Sequence, residues 1–166
     1  MKIYKIITVL TIMLVGCNNE KGVEEQKLTY GEQIPQEEAL SVISFVPKQI
    51  NEDNSPFPIK KKSAILNKTD KQSEIIELRY GGVECNILLE VENTKNLKRN
   101  NSLDFEEMDL LNGENAYYAE DQYTQYISWV DNELSYLMSF HYKGNPLNKA
   151  DVFLEEDILE IIDQME

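Results

Sequence analysis

Tyr123-Thr124-Gln125-Tyr126-Ile127-Ser128-Trp129-Val130, the link Asp131-Asn132-Glu133, and Leu134-Ser135-Tyr136-Leu137-Met138-Ser139-Phe140-His141-Tyr142 form the stretch on which the fold turns. In the second run Leu134, Tyr136, Met138, Phe140 and Tyr142 recur at every other position. That is the period of a strand whose successive side chains point to opposite faces. Two aromatic-rich runs parted by a short polar link predict a β-hairpin.

A second hairpin lies upstream. Ile76, Leu78 and Tyr80 share a face, Gly81-Gly82 follows at once, and Val83, Cys85, Ile87, Leu89 and Val91 resume the alternation. Between the hairpins, Lys95 to Asn101 is polar and Asn-rich, a loop. Phe105 to Leu111 and Ala116 to Ala119 read as shorter strands around the turn dipeptide Asn112-Gly113, and Ser63 to Leu66 fits one more strand. Lys143-Gly144-Asn145-Pro146 ends the last strand.

The flanks read differently. Glu37 to Phe45 starts with two acids, which suit a helix N-terminus, and spaces Leu40, Ile43 and Phe45 as a helix does. Pro47, Pro56 and Pro58 break regularity, so Val46 to Pro58 is expected to be extended and turn-rich. At the other end Leu154, Ile158, Ile161 and Met165 fall on one side of a helix, with acids elsewhere. The expected fold is α+β: a curved antiparallel sheet of about six strands, a short N-terminal helix, and a C-terminal amphipathic helix covering one sheet face.

Composition sets the limits. The chain has 166 residues, 42% of them hydrophobic, with 9 Tyr, 5 Phe and 1 Trp, which suffices for one packed domain. Sixteen Lys and Arg stand against 30 Asp and Glu, a formal charge of −14. Such a balance argues against binding nucleic acid or an anionic membrane through the protein's own surface.

The N-terminus reads as an address. Lys2 and Lys5 precede the apolar run Ile6 to Val15, in which only Thr8 and Thr11 are polar. The run has the layout of a secretory signal and falls short of the roughly 20 apolar residues that cross a bilayer. Asn18 to Gln36 is polar, holds Glu20, Glu24, Glu25 and Glu32, and shows no apolar period, so it reads as a tether reaching about 25 Å as a flexible coil. Three segments follow: a leader over 1–16, an acidic tether over 17–36, and one domain over 37–166.

Leu14-Val15-Gly16-Cys17 resembles the lipobox of bacterial lipoproteins. The resemblance implies cleavage before Cys17, a diacylglycerol thioether on its sulfur, and attachment to the outer side of the cytoplasmic membrane. Two long chains hold a protein there without a basic patch, since each buried methylene contributes about 0.8 kcal/mol. With Cys17 so engaged, Cys85 has no disulfide partner, and its place on the apolar phase of a strand makes it core filler.

Glu37-Glu38-Ala39 leading to Phe45-Val46-Pro47, the pair Leu78 and Tyr80, and Trp129-Val130 before Leu134, Tyr136 and Leu137 resemble a domain of small lipoproteins of Gram-positive, often spore-forming, bacteria. It also occurs at the outer ends of some anti-sigma factors. The likeness covers roughly Glu37 to Met165 and implies a sheet with packed helices similar to the lipoprotein-carrier folds; it brings no catalytic residues.

Chemistry-bearing residues are sparse. His141 is the single histidine, which excludes a multi-histidine metal site, and no Gly-x-Ser-x-Gly elbow accompanies it. Alternation places it opposite Phe140 and Tyr142, beside Leu137 and Ser139. The acidic runs at Asp104 to Asp109, Glu120-Asp121 and Glu155 to Asp157 lack the spacing of a calcium loop and read as solvated charge. Lys60-Lys61-Lys62 reads as a strand edge guarded by lysines, or as a docking patch for an anionic wall polymer or an acidic partner. Tyr126, Trp129 and Tyr136 belong to an aromatic set dense enough that one helix need not bury it all, so an exposed remainder is a candidate binding surface. No cofactor or metal is expected. The expected function is non-enzymatic, either a docking or sensing module anchored through Cys17 or a carrier of an acyl chain between sheet and terminal helix.

Overall fold

The computed structural model describes residues 30–69, 73–100, 102–143 and 153–166. The expected leader over 1–16, the lipobox-like stretch ending at Cys17 and residues 144–146 of the expected strand stop lie outside the described residues. Eight strands form one open antiparallel sheet, β1 (Gln33–Ile34), β2 (Lys61–Lys68), β3 (Glu74–Gly81), β4 (Cys85–Glu92), β5 (Glu106–Asp109), β6 (Asn115–Glu120), β7 (Thr124–Asp131) and β8 (Leu134–Tyr142). Their order is β1-β2-β3-β4-β8-β7-β6-β5. Two helices, α1 (Gln36–Val42) and α2 (Glu155–Asp163), complete an α+β fold.

The strand count corrects the expected six. Ser63 to Leu66 lies within a full strand of eight residues, and β1 is too short for any period to appear. The folded body also starts before Glu37. Tyr30 to Gln36, assigned to the tether by its polarity, supplies a turn, β1 and the start of α1. Gln36 is buried because its amide donates to the Tyr80 hydroxyl at 3.0 Å, a tertiary contact that polarity cannot signal. At its other end α1 stops at Val42 rather than Phe45. Ile43 is already extended, and the Ser44 amide donates to the Glu74 carboxylate at 2.9 Å.

Both hairpins lie where alternation places them. Asn132 and Glu133 join β7 to β8 with φ of 47° and 72°, the two-residue turn whose twist matches paired strands. Gly82, between β3 and β4, is there for space: a Cβ would sit 2.5 Å from the Phe57 ring. The register aligns apolar rows across the sheet. One runs Leu66, Ile76, Val91, Tyr136, Trp129, Ala116, and the next Ala64, Leu78, Leu89, Met138, Ile127, Tyr118.

Over this core face lie both helices and the Pro-rich segment. Helix α2 contributes Ile158, Ile161 and Ile162 to the core. The segment before β2 is extended apart from a 3-10 turn at Glu52–Asn54, and sheet tyrosines hold it by their hydroxyls. Tyr80 accepts from the Ile50 amide at 3.2 Å and Tyr136 from the Lys48 amide at 3.2 Å. Gln49 and Glu166 exchange backbone bonds of 2.7 and 3.1 Å, which ties the chain's last residue to the same segment.

Candidate functional site

Trp129 and Tyr136 are not surface. They are 2% and 1% exposed, and their rings stack at 4.9 Å beneath α2. The pair is thus sealed on the core face, where the half-buried Tyr118 and Tyr142 pack against the core. Of the three aromatics singled out from sequence, only Tyr126 points to the opposite face, where it is half-buried.

That opposite face is the candidate site. The register runs Ser63, Arg79, Leu88, Ser139, Tyr126 and Ala119 across six strands as one row, with Gly81, Asn86, His141 and Thr124 beside it on one side. On the other side lie Ile65, Glu77, Glu90, Leu137 and Ser128. Neither helix crosses these rows. Part of the face is covered by the connection from β4 to β5. Ser128 Oγ donates to the Lys98 carbonyl at 2.5 Å, the Lys98 amide donates to Ser135 Oγ at 3.1 Å, and the Arg99 guanidinium rests 3.5 Å over the Tyr117 ring. Lys98 also pairs with Glu90. Leu137, between Glu90 and Ser128 in its row, lies under this connection, whereas Ile65, Leu88 and Tyr126 stand clear of it, half-buried among polar neighbours.

His141 sits on this face between two hydroxyls. Ser139 Oγ is 2.9 Å from Nε2 and Thr124 Oγ1 is 3.2 Å from Nδ1. Hydroxyls give or accept as either ring tautomer requires, so both nitrogens are served. Burial holds the imidazole below its ordinary pKa, with Arg79 pushing the same way and Asp121 and Glu77 opposing. A serine at this distance from a ring nitrogen has the spacing of a nucleophile and its base. Three features oppose that use. Thr124 stands where a triad carries a carboxylate, Ser139 is buried, and β8 is paired on both sides, which commits the nearby amides to ladders and leaves none for an oxyanion.

Asp121 organises the rim. One of its oxygens accepts from the amides of Tyr123 and Thr124 at 2.8 and 2.9 Å, the other from the Tyr126 hydroxyl at 3.0 Å. The lysine run is divided. Lys62 pairs with Glu52, whereas Lys61 is exposed on β2 beyond the reach of β1, which pairs only with Ala64 and Ile65. The Lys60 amide donates to the Gly81 carbonyl at 2.8 Å. Cys85 is buried on the core face, its thiol pushed up to about 12 by desolvation, so it is held as an unreactive thiol.

Arg79, Asn86, Leu88, Leu137 and Ser139 were not singled out from sequence as a surface. A signal exists: Leu88 and Leu137 are large apolar residues on the polar phase of their strands. Among the described residues no group of acids, cysteines and histidine could hold a metal, and no helix is long and apolar enough to cross a membrane. Comparison with family models, curated proteins and solved structures returns no match.

Proposed function

We infer that this chain is a lipid-anchored docking or sensing module on the outer side of the cytoplasmic membrane, with no catalysis of its own. The observation that carries the docking part is the inequality of the two sheet faces. The core face is filled and roofed, and the other presents a half-buried band of Ile65, Leu88 and Tyr126 among polar groups. A mixed apolar and polar patch that carries an aromatic is what transient partners bind. The anchor rests on the lipobox resemblance at Cys17 and on the charge of −14, which makes direct adhesion to anionic lipid unfavourable.

A carrier needs an apolar cavity between sheet and α2. Among the described residues two hollows border α2 on this side, about 40 Å³ beside Trp129, Leu110 and Ile162 and about 230 Å³ beside Tyr118, Met108 and Glu155, both below the roughly 300–1,000 Å³ of ligand pockets. A photo-crosslinker at Tyr126 in native membranes is expected to give a discrete protein adduct, and one at Glu156 on α2 none. Equal adducts from both positions, or none from Tyr126, overturn the docking face. Saturable displacement of a fluorescent fatty acid by the full chain would replace it with the carrier. For the anchor, Cys17→Ala is expected to move the chain out of the membrane fraction; equal retention overturns it.

A further inference from the structure

At the end of the open face where β3 turns into β4 lies a hollow of about 190 Å³, lined by Gln33, Lys61, Ser63, Arg79, Asn86 and Leu88 among others. Its polar groups are mostly donors. The Lys61 ammonium has only protons to offer. Arg79 gives its Nε to Glu77, which leaves the two outer nitrogens of the guanidinium for another acceptor. Buried Ser63 already accepts from Gln33 Nε2 at 2.5 Å, so its own proton is available to a guest. Asn86 adds an amide NH2. Lys143 stands on the same turn, its Nζ 2.6 Å from the Gly82 carbonyl. Among the described residues no carboxylate pairs with Lys61, the lysine of this hollow, in a chain where acids outnumber bases 30 to 16. An unpaired ammonium and the free outer edge of a guanidinium, facing one hollow, mark a place that an external anion completes.

The geometry points to this hollow as a binding site for the oxyanion of a small ligand, a carboxylate or a phosphate, held between Lys61 and Arg79 with Ser63 and Asn86 donating. Guanidinium and hydroxyl donors around an oxyanion make charge-assisted bonds, the stronger kind. Leu88 offers an apolar floor to the ligand's next atoms. The volume is below that of pockets which enclose drug-sized ligands, so a head group enters and the remainder faces Ser139 and Tyr126 along the same row. The site rests on the open face being the working surface, and it names the chemistry that the surface recognises.

Amide NMR of the full chain, titrated separately with inorganic phosphate and with butyrate at constant ionic strength, tests the inference. Saturable shifts at Ser63, Gly81 and Asn86 are expected. Saturation by phosphate alone assigns a phosphate, and saturation by butyrate with shifts of the Leu88 methyls assigns a carboxylate. Lys61→Glu, at an exposed position, and Arg79→Gln should each weaken binding about tenfold or more. Shifts that never saturate, or equal affinity in the parent and Lys61→Glu, overturn it. A chain that forms Tyr126 adducts yet binds neither probe keeps the docking face and loses the anion site; the reverse result keeps the anion site and removes the docking partner.

Discussion

The two faces of the sheet are built from the same strands, one residue apart, and they are finished in opposite ways. On the core face Tyr80, Trp129, Tyr136 and Met138 are closed over by α2 and by a Pro-rich segment held through tyrosine hydroxyls. On the other face the cover among the described residues is one connection, pinned at Lys98 by Ser128 and Ser135, and the remaining described surface stays open. What separates them is what each tyrosine or serine is given to bind. Core-face hydroxyls reach chain that must be held for the domain to exist. Open-face hydroxyls serve His141, Asp121 and one loop, and losing them leaves the core intact.

The largest expected effect of breaking this contrast is at Trp129. Trp129→Ala removes the ring stacked on Tyr136 and should cost about 3–5 kcal/mol in denaturant unfolding. Next comes Tyr80→Phe, which strands the buried Gln36 amide and the Ile50 amide without their acceptor and should cost about 1–3 kcal/mol by the same measurement. On the open face Ser128→Ala should cost only about 1 kcal/mol, with faster hydrogen exchange confined to the connection around Lys98. Should Ser128→Ala prove as damaging as Trp129→Ala, the open face would be structural too.

The smallest effect is a pH dependence at His141. Burial holds its folded pKa below the ordinary value of 6.5, so the unfolded chain takes up the proton first as the solution is acidified. The stability owed to the neutral ring is therefore complete above about pH 6.5 and is lost as pH falls from there through the depressed folded value. His141→Gln should flatten that acid limb in unfolding curves and leave stability at neutral pH nearly unchanged. A parent and variant that lose stability in parallel below pH 6.5 would place the proton elsewhere.

Much of the core face was legible because alternation is a local signal. Ile76, Leu78, Tyr80 and the series from Leu134 to Tyr142 announce their phase within a few residues. The buried phase of Cys85 and the grouping of His141 with Ser139 followed from the same count. Less could be read where tertiary partners decide. Gln36 looks like tether until Tyr80 receives its amide, and Trp129 looks available until α2 is laid over it. The hollow was hidden for another reason. Lys61, Arg79 and Asn86 come from three strands, and their convergence depends on register, which no single stretch of sequence states.

The most direct test of a working face opposite the sealed core is thiol labelling of Tyr126→Cys, mapped by peptide mass spectrometry, in the purified chain and in native membranes. Cys85, buried on the core face, should remain unlabelled in both and serves as the internal reference. Rapid labelling of Tyr126→Cys is predicted in the purified chain, with strong protection in the membrane, where a docked partner covers it. Equal labelling in both settings, with Cys85 still silent, would contradict it.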